Sequence, residues 1–222
     1  MTAWSVRVDT TASFAEVLRT EETLLRRGAP AVHVAVVDGT VVSFGAGVPE
    51  SAPYLSAADR RGIPTARRRS GGTGVVHLEG DLVWAVILPR SDRRVGRDFV
   101  RAYPRLGAGL VAALAPHRVS ATWVPSPGLS DDYCPLGRRG NVLEVGGRVV
   151  GAAAQHLSGT ALLHQGTLSF EVDRDLVRDL FGFPDDSIPA RLAGVAEHGV
   201  RARPEEVAEG VAQALVAALG PP

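Results

Sequence analysis

The sequence predicts an α+β protein: mixed β-sheets with helices packed against them, in one domain. Three observations lead to that class. Valine-rich runs of strand length, separated by turn residues, crowd the middle of the chain between residues 31 and 172. Runs with helical spacing lie instead near residues 13–27, near 98–115 and from 175 onward, and strands and helices grouped in blocks, rather than in strict alternation, belong to α+β architectures. The length of 222 residues, 45% of them hydrophobic, suits one well-buried core and is too short for two full domains. The expected organisation is a single unit over residues 1–222, with its core over about 15–173 and a C-terminal helical segment over about 174–222.

Taken in order, Val6 and Val8 alternate with polar neighbours in a short strand. Ser13, with Glu16 three residues later, opens a helix to about Arg27 whose apolar face holds Phe14, Val17, Leu18, Leu24 and Leu25. Residues 31–37 and 40–44 flank Asp38-Gly39, the dipeptide of a two-residue hairpin turn, and are expected to pair with each other. His33 is expected to be a half-exposed strand residue rather than a ligand. Residues 45–53 are turn-rich, 56–61 make a short helix closed by Gly62, and Ile63 leads by strand into a glycine-rich loop. Residues 81–88 read as a buried strand and 90–97 as a charged, solvated loop. The periodicity over 98–115, carried by Phe99, Val100, Tyr103, Leu106 and Leu110, predicts a helix that starts or kinks at Pro104. A strand over 119–124 precedes a loop over 125–140 rich in proline, glycine and aspartate. Residues 141–145 and 148–154 are expected to pair across Gly146-Gly147, and residues 160–172 to give one or two strands. Helices over 176–181 and 204–219 complete the chain, the second with proline in its first turn.

Composition narrows the chemistry. The 24 acidic and 24 basic residues balance, so no global field draws nucleic acid or an anionic membrane. All 24 basic residues are arginine, so the chain has no side-chain amine, and a reaction that needs lysine must do without it or borrow one from a partner. Cys134 is the only cysteine, which excludes an intrachain disulfide and a thiolate-rich metal site; no metal is expected. The first residues hold no apolar run of signal-peptide length, and no segment reaches the roughly 20 apolar residues of a membrane span. A cytoplasmic protein is the expectation.

Residues 66–88 are the stretch around which a ligand is expected. Gly71, Gly72 and Gly74 remove the Cβ atoms that would hold a bound group off the backbone, and they permit the positive φ angles that aim successive N–H groups at one point. Arg67, Arg68 and Arg69 add guanidinium donors on the flank. By residues alone this is either a loop for an anionic or carbonyl-bearing ligand or a surface turn with a basic rim. It matches neither a phosphate-binding loop, which would end in Gly-Lys-Ser/Thr, nor a dinucleotide fingerprint.

Two motifs together resemble a known family. Arg67, Arg68, Ser70, Gly71, Gly72, Val75 and His77 fit the pattern Arg-Arg-x-Ser/Thr-Gly-Gly-Gly-Ala-Val-Tyr/Phe-His, from which Thr73 and Gly74 depart. Gly147, Arg148, Val150, Ala154 and Gln155, followed by Gly166, Thr167 and Leu168, fit Gly-Arg-Lys-Val-x-Gly-x-Ala-Gln and then His-x-Gly-Thr/Ser-Leu, with a His-Gln pair at 164 and 165. The chain thus resembles the catalytic domain shared by lipoate-protein ligases, octanoyltransferases and biotin-protein ligases, in its lipoate branch, over roughly residues 15–215. The resemblance implies a mixed sheet with the ligand crossing its face, and an activity that moves lipoate or octanoate to a lysine of a carrier domain. ATP and Mg²⁺ enter only if the activity is that of a ligase. It also implies ligand contacts from Arg67, Arg68, Gly71, Gly72, Thr73, Gly74, Val75 and Val76, with His77 supporting the loop and Ala152, His164 and Gln165 nearby. For His164 and Gln165 a buried residue with satisfied hydrogen bonds is an equal reading. Many lipoate ligases carry a further C-terminal domain, for which this chain is expected to be too short, so a separate accessory chain is a possible partner.

The family lysine is replaced by Val149. Arg148 is no substitute, because neighbouring strand residues leave opposite faces and because Arg148 matches an arginine that the family already has. Loss of such a cation removes oxyanion stabilisation commonly worth about 3 kcal/mol. Cys134 lies at the offset before Gly147 where octanoyltransferases of the lipoate-ligase type place an acyl-accepting cysteine; its alternative is a small buried hydrophobe. Three functions follow as alternatives: an acyl ligase or transferase of protein lipoylation, a binder of acyl groups or acyl-adenylates that has lost turnover, and a protein of the same fold for a different small carboxylate.

Overall fold

The computed structural model describes residues 4–94 and 102–221. Among the described residues ten strands form two sheets. The larger contains β1 (Ser5–Ala12), β2 (Ala31–Val37), β6 (Leu82–Pro89), β10 (Ala161–Leu168), β9 (Arg148–Leu157), β8 (Asn141–Val145) and β7 (Ala121–Pro125), in that spatial order. The smaller has β3 (Val41–Phe44) between β4 (Thr65–Arg67) and β5 (Gly74–His77). In each sheet one pair is parallel, β1 with β2 and β3 with β4, and the remaining pairs are antiparallel. The α-helices among the described residues are α1 (Phe14–Arg27), α2 (Pro53–Arg60), α3 (Ala102–Leu114), α4 (Arg174–Phe181) and α5 (Pro204–Leu219).

The helix α1 starts where its capping box dictates. The Ser13 side chain accepts from the Glu16 amide at 3.4 Å, and the Glu16 carboxylate accepts from the Ser13 amide at 2.9 Å. Gly28, at φ +61°, ends it in the left-handed conformation. Its buried face is Phe14, Val17, Glu21, Leu24 and Leu25, so a carboxyl group lies in the middle of an apolar stripe. The hairpin of β8 and β9 also forms as expected. Gly146 and Gly147, at φ +57° and +74°, supply the two left-handed positions that such a two-residue turn needs.

Residues 31–37 and 40–44 do not pair with each other. Both edges of β2 are taken, one by β1 and the other by β6, and the Asp38-Gly39 turn carries the chain out of the large sheet into the small one, where β3 pairs with β4 and β5. Every residue of β2 is buried, which suits a strand covered on both faces and flanked on both edges. His33 is correspondingly buried, at 1% exposure, and not half-exposed; its Nε2 lies 3.0 Å from the Asp9 carboxylate, and burial lowers its pKa against the pull of that neighbour. Other differences are of extent. The helix α2 starts at Pro53 rather than 56, proline being favoured in a first turn, and residues 160–172 give one strand, β10. The helix α3, described over Ala102–Leu114, runs through Pro104; Phe99 and Val100 lie outside the described residues.

Alternation along the large sheet separates two apolar layers. On one face Val32, Val34, Trp84, Val86 and Leu162 pack with α3 and α5, so the C-terminal helix belongs to the main core through Val207, Val211 and Leu215. On the other face α1 covers Ala31, Ala85, Ile87 and Leu163, while the small sheet with α2 and α4 covers Val142, Val149 and Ala152. The glycine loop, joining β4 to β5, crosses that second face. Among the described residues no helix is long and apolar enough to cross a membrane.

Candidate active site

Only the middle arginine of the loop turns inward. Arg68 is 5% exposed, and its guanidinium donates to Ser43 Oγ on β3 and to the Thr73 carbonyl at 3.0 Å. Burial presses its pKa down, while Cys134, Tyr54 and Glu21 hold it up; an arginine stays charged through such a shift. Arg67 faces the other way, donating to the Ala46 and Val48 carbonyls at 3.1 and 2.7 Å and to Glu50, with its guanidinium 4.5 Å above the Phe44 ring. Arg69 is exposed and paired with Glu22. These two arginines shape the loop.

The glycines divide similarly. Gly72 adopts φ +88°, and a Cβ placed there would stand 2.7 Å from Cys134 Sγ and 3.6 Å from Arg68 Nη2. The loop backbone therefore lies directly against the thiol, with the guanidinium beside it. Gly74 is needed for packing: a Cβ there would meet the Phe181 ring at 2.6 Å and the Tyr54 ring at 2.8 Å. Its amide donates to the Asp132 carbonyl at 2.9 Å, which fixes the start of β5 against the segment that bears Cys134. That close approach accounts for glycine at position 74.

Behind the loop a hydrogen-bond chain links the two sheets. Arginine only donates, so Ser43 Oγ accepts from Arg68 and turns its own proton to His77 Nε2, 2.6 Å away. The histidine is then protonated on Nδ1, which faces Thr167 Oγ1 at 3.4 Å, and Thr167 donates to the Leu82 carbonyl at 3.2 Å. Burial, with the Arg68 charge adding to it, lowers the His77 pKa to about 3, so the ring is neutral at pH 7. With both ring nitrogens engaged, His77 supports Arg68 and is not a free base.

Two cavities meet at Cys134. One is a narrow slot of about 30 Å³, lined by Arg68, Val75, His77, Val83, Cys134, Ala152, Ala153, Ala154, Gln165, Gly166 and Thr167. The other is an open cleft of about 680 Å³, bounded by Gly71, Gly72, Thr73, Tyr103, Ser130, Cys134, Arg138, Arg139, Asn141 and Gln155 among others. Cys134, Ala153 and Ala154 line both, which places the thiol where the open cleft narrows into the slot. Cys134 sits in a 3₁₀ turn held by the Leu136 amide to the Tyr133 carbonyl, at 3.0 Å. The slot, walled by alanines and valines, is suited to an unbranched apolar chain, and at its present width the lining must part to admit one.

The other expected site residues separate by strand alternation. Val75 and His77 face the slot, while Val76 turns into the layer beneath α2 and α4. Gln165 faces the slot. His164 points through the sheet to the α3 side, stacked on Trp84 at 5.3 Å and edge-on to Tyr103 at 4.5 Å, with Nδ1 2.6 Å from Gln155 Nε2. Burial lowers the His164 pKa to about 3. Val149 is 2% exposed in the apolar layer of Val142, Val177 and Leu192, and lies outside both cavity linings. A β-bulge between Leu143 and Glu144 on one side and Gly151 and Val149 on the other interrupts the alternation there, which brings Ala152 to the same layer as Val149. Ser43, Val83, Glu21 and the arginines at 138 and 139 complete the surroundings of the site and were not singled out from the sequence. Ser43 and Glu21 sit in unremarkable strand and helix contexts, and only the fold brings them near Arg68.

Comparisons with known proteins agree with this fold. A family profile described as the lipoyl protein ligase A/B catalytic domain matches residues 13–216. An octanoyltransferase LipM from Geobacillus kaustophilus is 26% identical over 148 residues, 62% of this chain and 52% of the relative, so the chain spans about half the length of the curated proteins it matches. Among solved structures, lipoate-protein ligase A bound with ATP superposes with a TM-score of 0.79 at 20% identity, covering 99% of this chain and 86% of the other. A bipartite lipoate protein ligase from Thermoplasma acidophilum, described with its E2 lipoyl domain, gives 0.77 at 19% identity, covering 99% and 84%. The shared fold, the glycine loop across the sheet face and a profile match over nearly the whole length place the chain in the lipoyl protein ligase A/B catalytic-domain family.

Proposed function

We propose that this protein is an acyltransferase of protein lipoylation, which moves an octanoyl or lipoyl group through a thioester on Cys134 to a lysine of a lipoyl carrier domain. The observation that carries the reading is the place of the thiol: at the junction of an apolar slot and an open cleft, against the backbone of Gly72 and beside the buried Arg68 guanidinium. The acyl tail enters the slot and the carrier approaches through the cleft, past Gly71, Gly72 and Thr73. Cys134 Sγ bonds to the acyl carbonyl carbon, the bond from that carbon to the donor's thiol sulfur breaks, and the proton lost by Cys134 leaves with the donor thiol. The carrier's lysine amine then attacks the same carbon, the bond from that carbon to Cys134 Sγ breaks as the amide forms, and the proton lost by the amine returns to Cys134. A thioester conserves the acyl energy, so this route consumes no ATP; nucleotide and Mg²⁺ belong to it only if the incoming acid must first be adenylated. The chain lacks lysine altogether, and in this reading Arg68 is the fixed cation beside the reacting carbonyl.

The test is intact-mass analysis after incubation with an octanoylated acyl-carrier protein. A mass increase of one octanoyl group is expected, released by hydroxylamine and absent in Cys134→Ser. A second reading rests on Val149: with valine where the family has lysine, the protein binds the acyl group or its adenylate without turning it over. Calorimetric binding of octanoyl-adenylate analogue, with no adduct from any donor and no transfer to a lipoyl domain, would establish that reading instead. A separate accessory chain, like the second part of the bipartite archaeal ligase, is a candidate partner. A cytoplasmic site of action belongs to the same reading.

A further inference from the structure

We infer that the Gln165 side-chain amide holds the acyl carbonyl during transfer, a substrate-touching role that rests on the thioester reading of Cys134. Gln165 is 3% exposed, lines the slot, and its Oε1 has no hydrogen-bond partner among the described residues. A buried amide oxygen left unpaired is costly, and native structures pair nearly all such atoms. The walls around it leave it unpaired: the side chains of Val75, Val83 and the alanines of β9 carry no polar atom, His77 and Thr167 are committed to the chain that supports Arg68, and Arg68 itself donates to Ser43 and to the Thr73 carbonyl. The partner therefore comes with the ligand.

An acyl thioester offers one strong hydrogen-bonding atom, its carbonyl oxygen, and the sheet register says which end of the slot receives it. Gln165 pairs with Ala154 across β10 and β9, and Ala154 lines both slot and cleft together with Cys134. Two residues further along, Thr167 pairs with Ala152 and Val83, at the end away from the cleft. Gln165 is thus at the mouth, beside the thiol, where the carbonyl of a Cys134 thioester must lie, and the acyl tail runs past Ala152 toward Val83. The amide oxygen and nitrogen are interchangeable by a flip about the last side-chain bond, so an N–H can be presented to the carbonyl oxygen. Arg68 lines the same slot, so that oxygen has a second donor within the site as negative charge develops on it. The pair also discriminates among ligands: a group that enters the slot without a carbonyl at this depth leaves the amide unpaired.

The experiment uses the full chain and an octanoyl-carrier thioester labelled with ¹³C at the carbonyl. Infrared difference spectra of the acylated wild-type protein should show the labelled carbonyl stretch displaced to lower frequency than the same thioester in an aprotic solvent. In Gln165→Met, which keeps the length and loses the amide, the stretch should move back toward the aprotic value. Turnover should fall by roughly 10²–10³-fold, as when one oxyanion donor is removed, with little change in KM for the carrier. A wild-type stretch at the aprotic value overturns the inference without any variant, so a misfolded Gln165→Met does not protect it. An adduct on Cys134 with the same stretch and turnover in both proteins refutes the role of Gln165 and leaves the thioester reading standing. Absence of any Cys134 adduct in the wild type removes the thioester reading and this role together.

Discussion

At position 21 a carboxyl group lies in the apolar face of α1, 3% exposed and with Oε1 unpartnered among the described residues. Burial pushes its pKa from the ordinary 4.5 up to about 8, against the opposing pull of Arg68. The folded chain therefore keeps a proton that the unfolded chain releases between those two values, and stability falls as pH rises through that window. In Glu21→Gln that decline should vanish, removing a slope of up to about 1.4 kcal/mol per pH unit; urea unfolding at a series of pH values from about 5 to 8 measures it. Equal slopes in the two proteins would show that Glu21 ionises as an ordinary surface carboxylate. The glycines of the loop make a paired prediction. Gly72→Ala forces a side chain at φ +88° and drives a Cβ to within 2.7 Å of the thiol, so acylation of Cys134 should fall at least about tenfold and stability by roughly 1–2 kcal/mol. Gly71→Ala, with nothing within 4 Å of its added Cβ, should change stability by less than about 0.5 kcal/mol. Thermal unfolding of both variants separates loop geometry from mere glycine content. The sequence pointed to Gly72 and Cys134 separately, through their motifs; that one presses on the other follows from residues 62 positions apart meeting across the loop.

Among the elements, β9 decides what Val149 can do. Its amide plane is fixed on both sides, through the pairing with Glu144 and through the Ala193 amide that donates to the Val149 carbonyl at 2.9 Å. The side chain is held among Val142, Val177 and Leu192, and Val149→Lys would bury an ammonium there with no acceptor in place. We expect a loss of roughly 3–5 kcal/mol, read as a lower urea midpoint. Recovery of that loss on adding an acyl-adenylate analogue would mean that the lysine reaches the ligand by way of the slot; no recovery would confirm position 149 as core. The strand β2 shows how local chemistry loses to packing. Asp38-Gly39 does make a turn, with Gly39 at φ +75°, yet the continuous apolar run of β2 demanded neighbours on both edges, and β1 and β6 supplied them. An uninterrupted run such as Ala-Val-His-Val-Ala-Val-Val was the better signal of a central strand than the turn was of a hairpin.

For the molecule as a whole, the polar chain from Arg68 through Ser43, His77 and Thr167 is the tie between the small sheet and the large one. His77→Leu removes two hydrogen bonds, each worth about 1 kcal/mol, and leaves the hydroxyls of Ser43 and Thr167 buried with fewer partners. Destabilisation of roughly 2–4 kcal/mol is expected, concentrated in one place: amide exchange in β3 and β5 should accelerate more than in β6 and β10. Uniform acceleration, followed by hydrogen-exchange mass spectrometry, would show instead that the two sheets open as a single unit.

The sequence by itself determined most of what depends on near neighbours. The capping box at Ser13 and Glu16, the two left-handed glycines of the β8–β9 turn, the buried run of β6 and the paired motifs of the family are all written within a few residues, because capping, turn chemistry and alternation act over that range. The α+β class followed from the same signals. Only the tertiary structure decided which sheet each strand joined, that one of three consecutive arginines faces inward, that Gln165 and His164 look to opposite faces, and that Glu21 and Ser43 share surroundings with Arg68. Those are matters of which edges and faces remain free once the others are filled, and the competition for them runs between segments far apart in the chain.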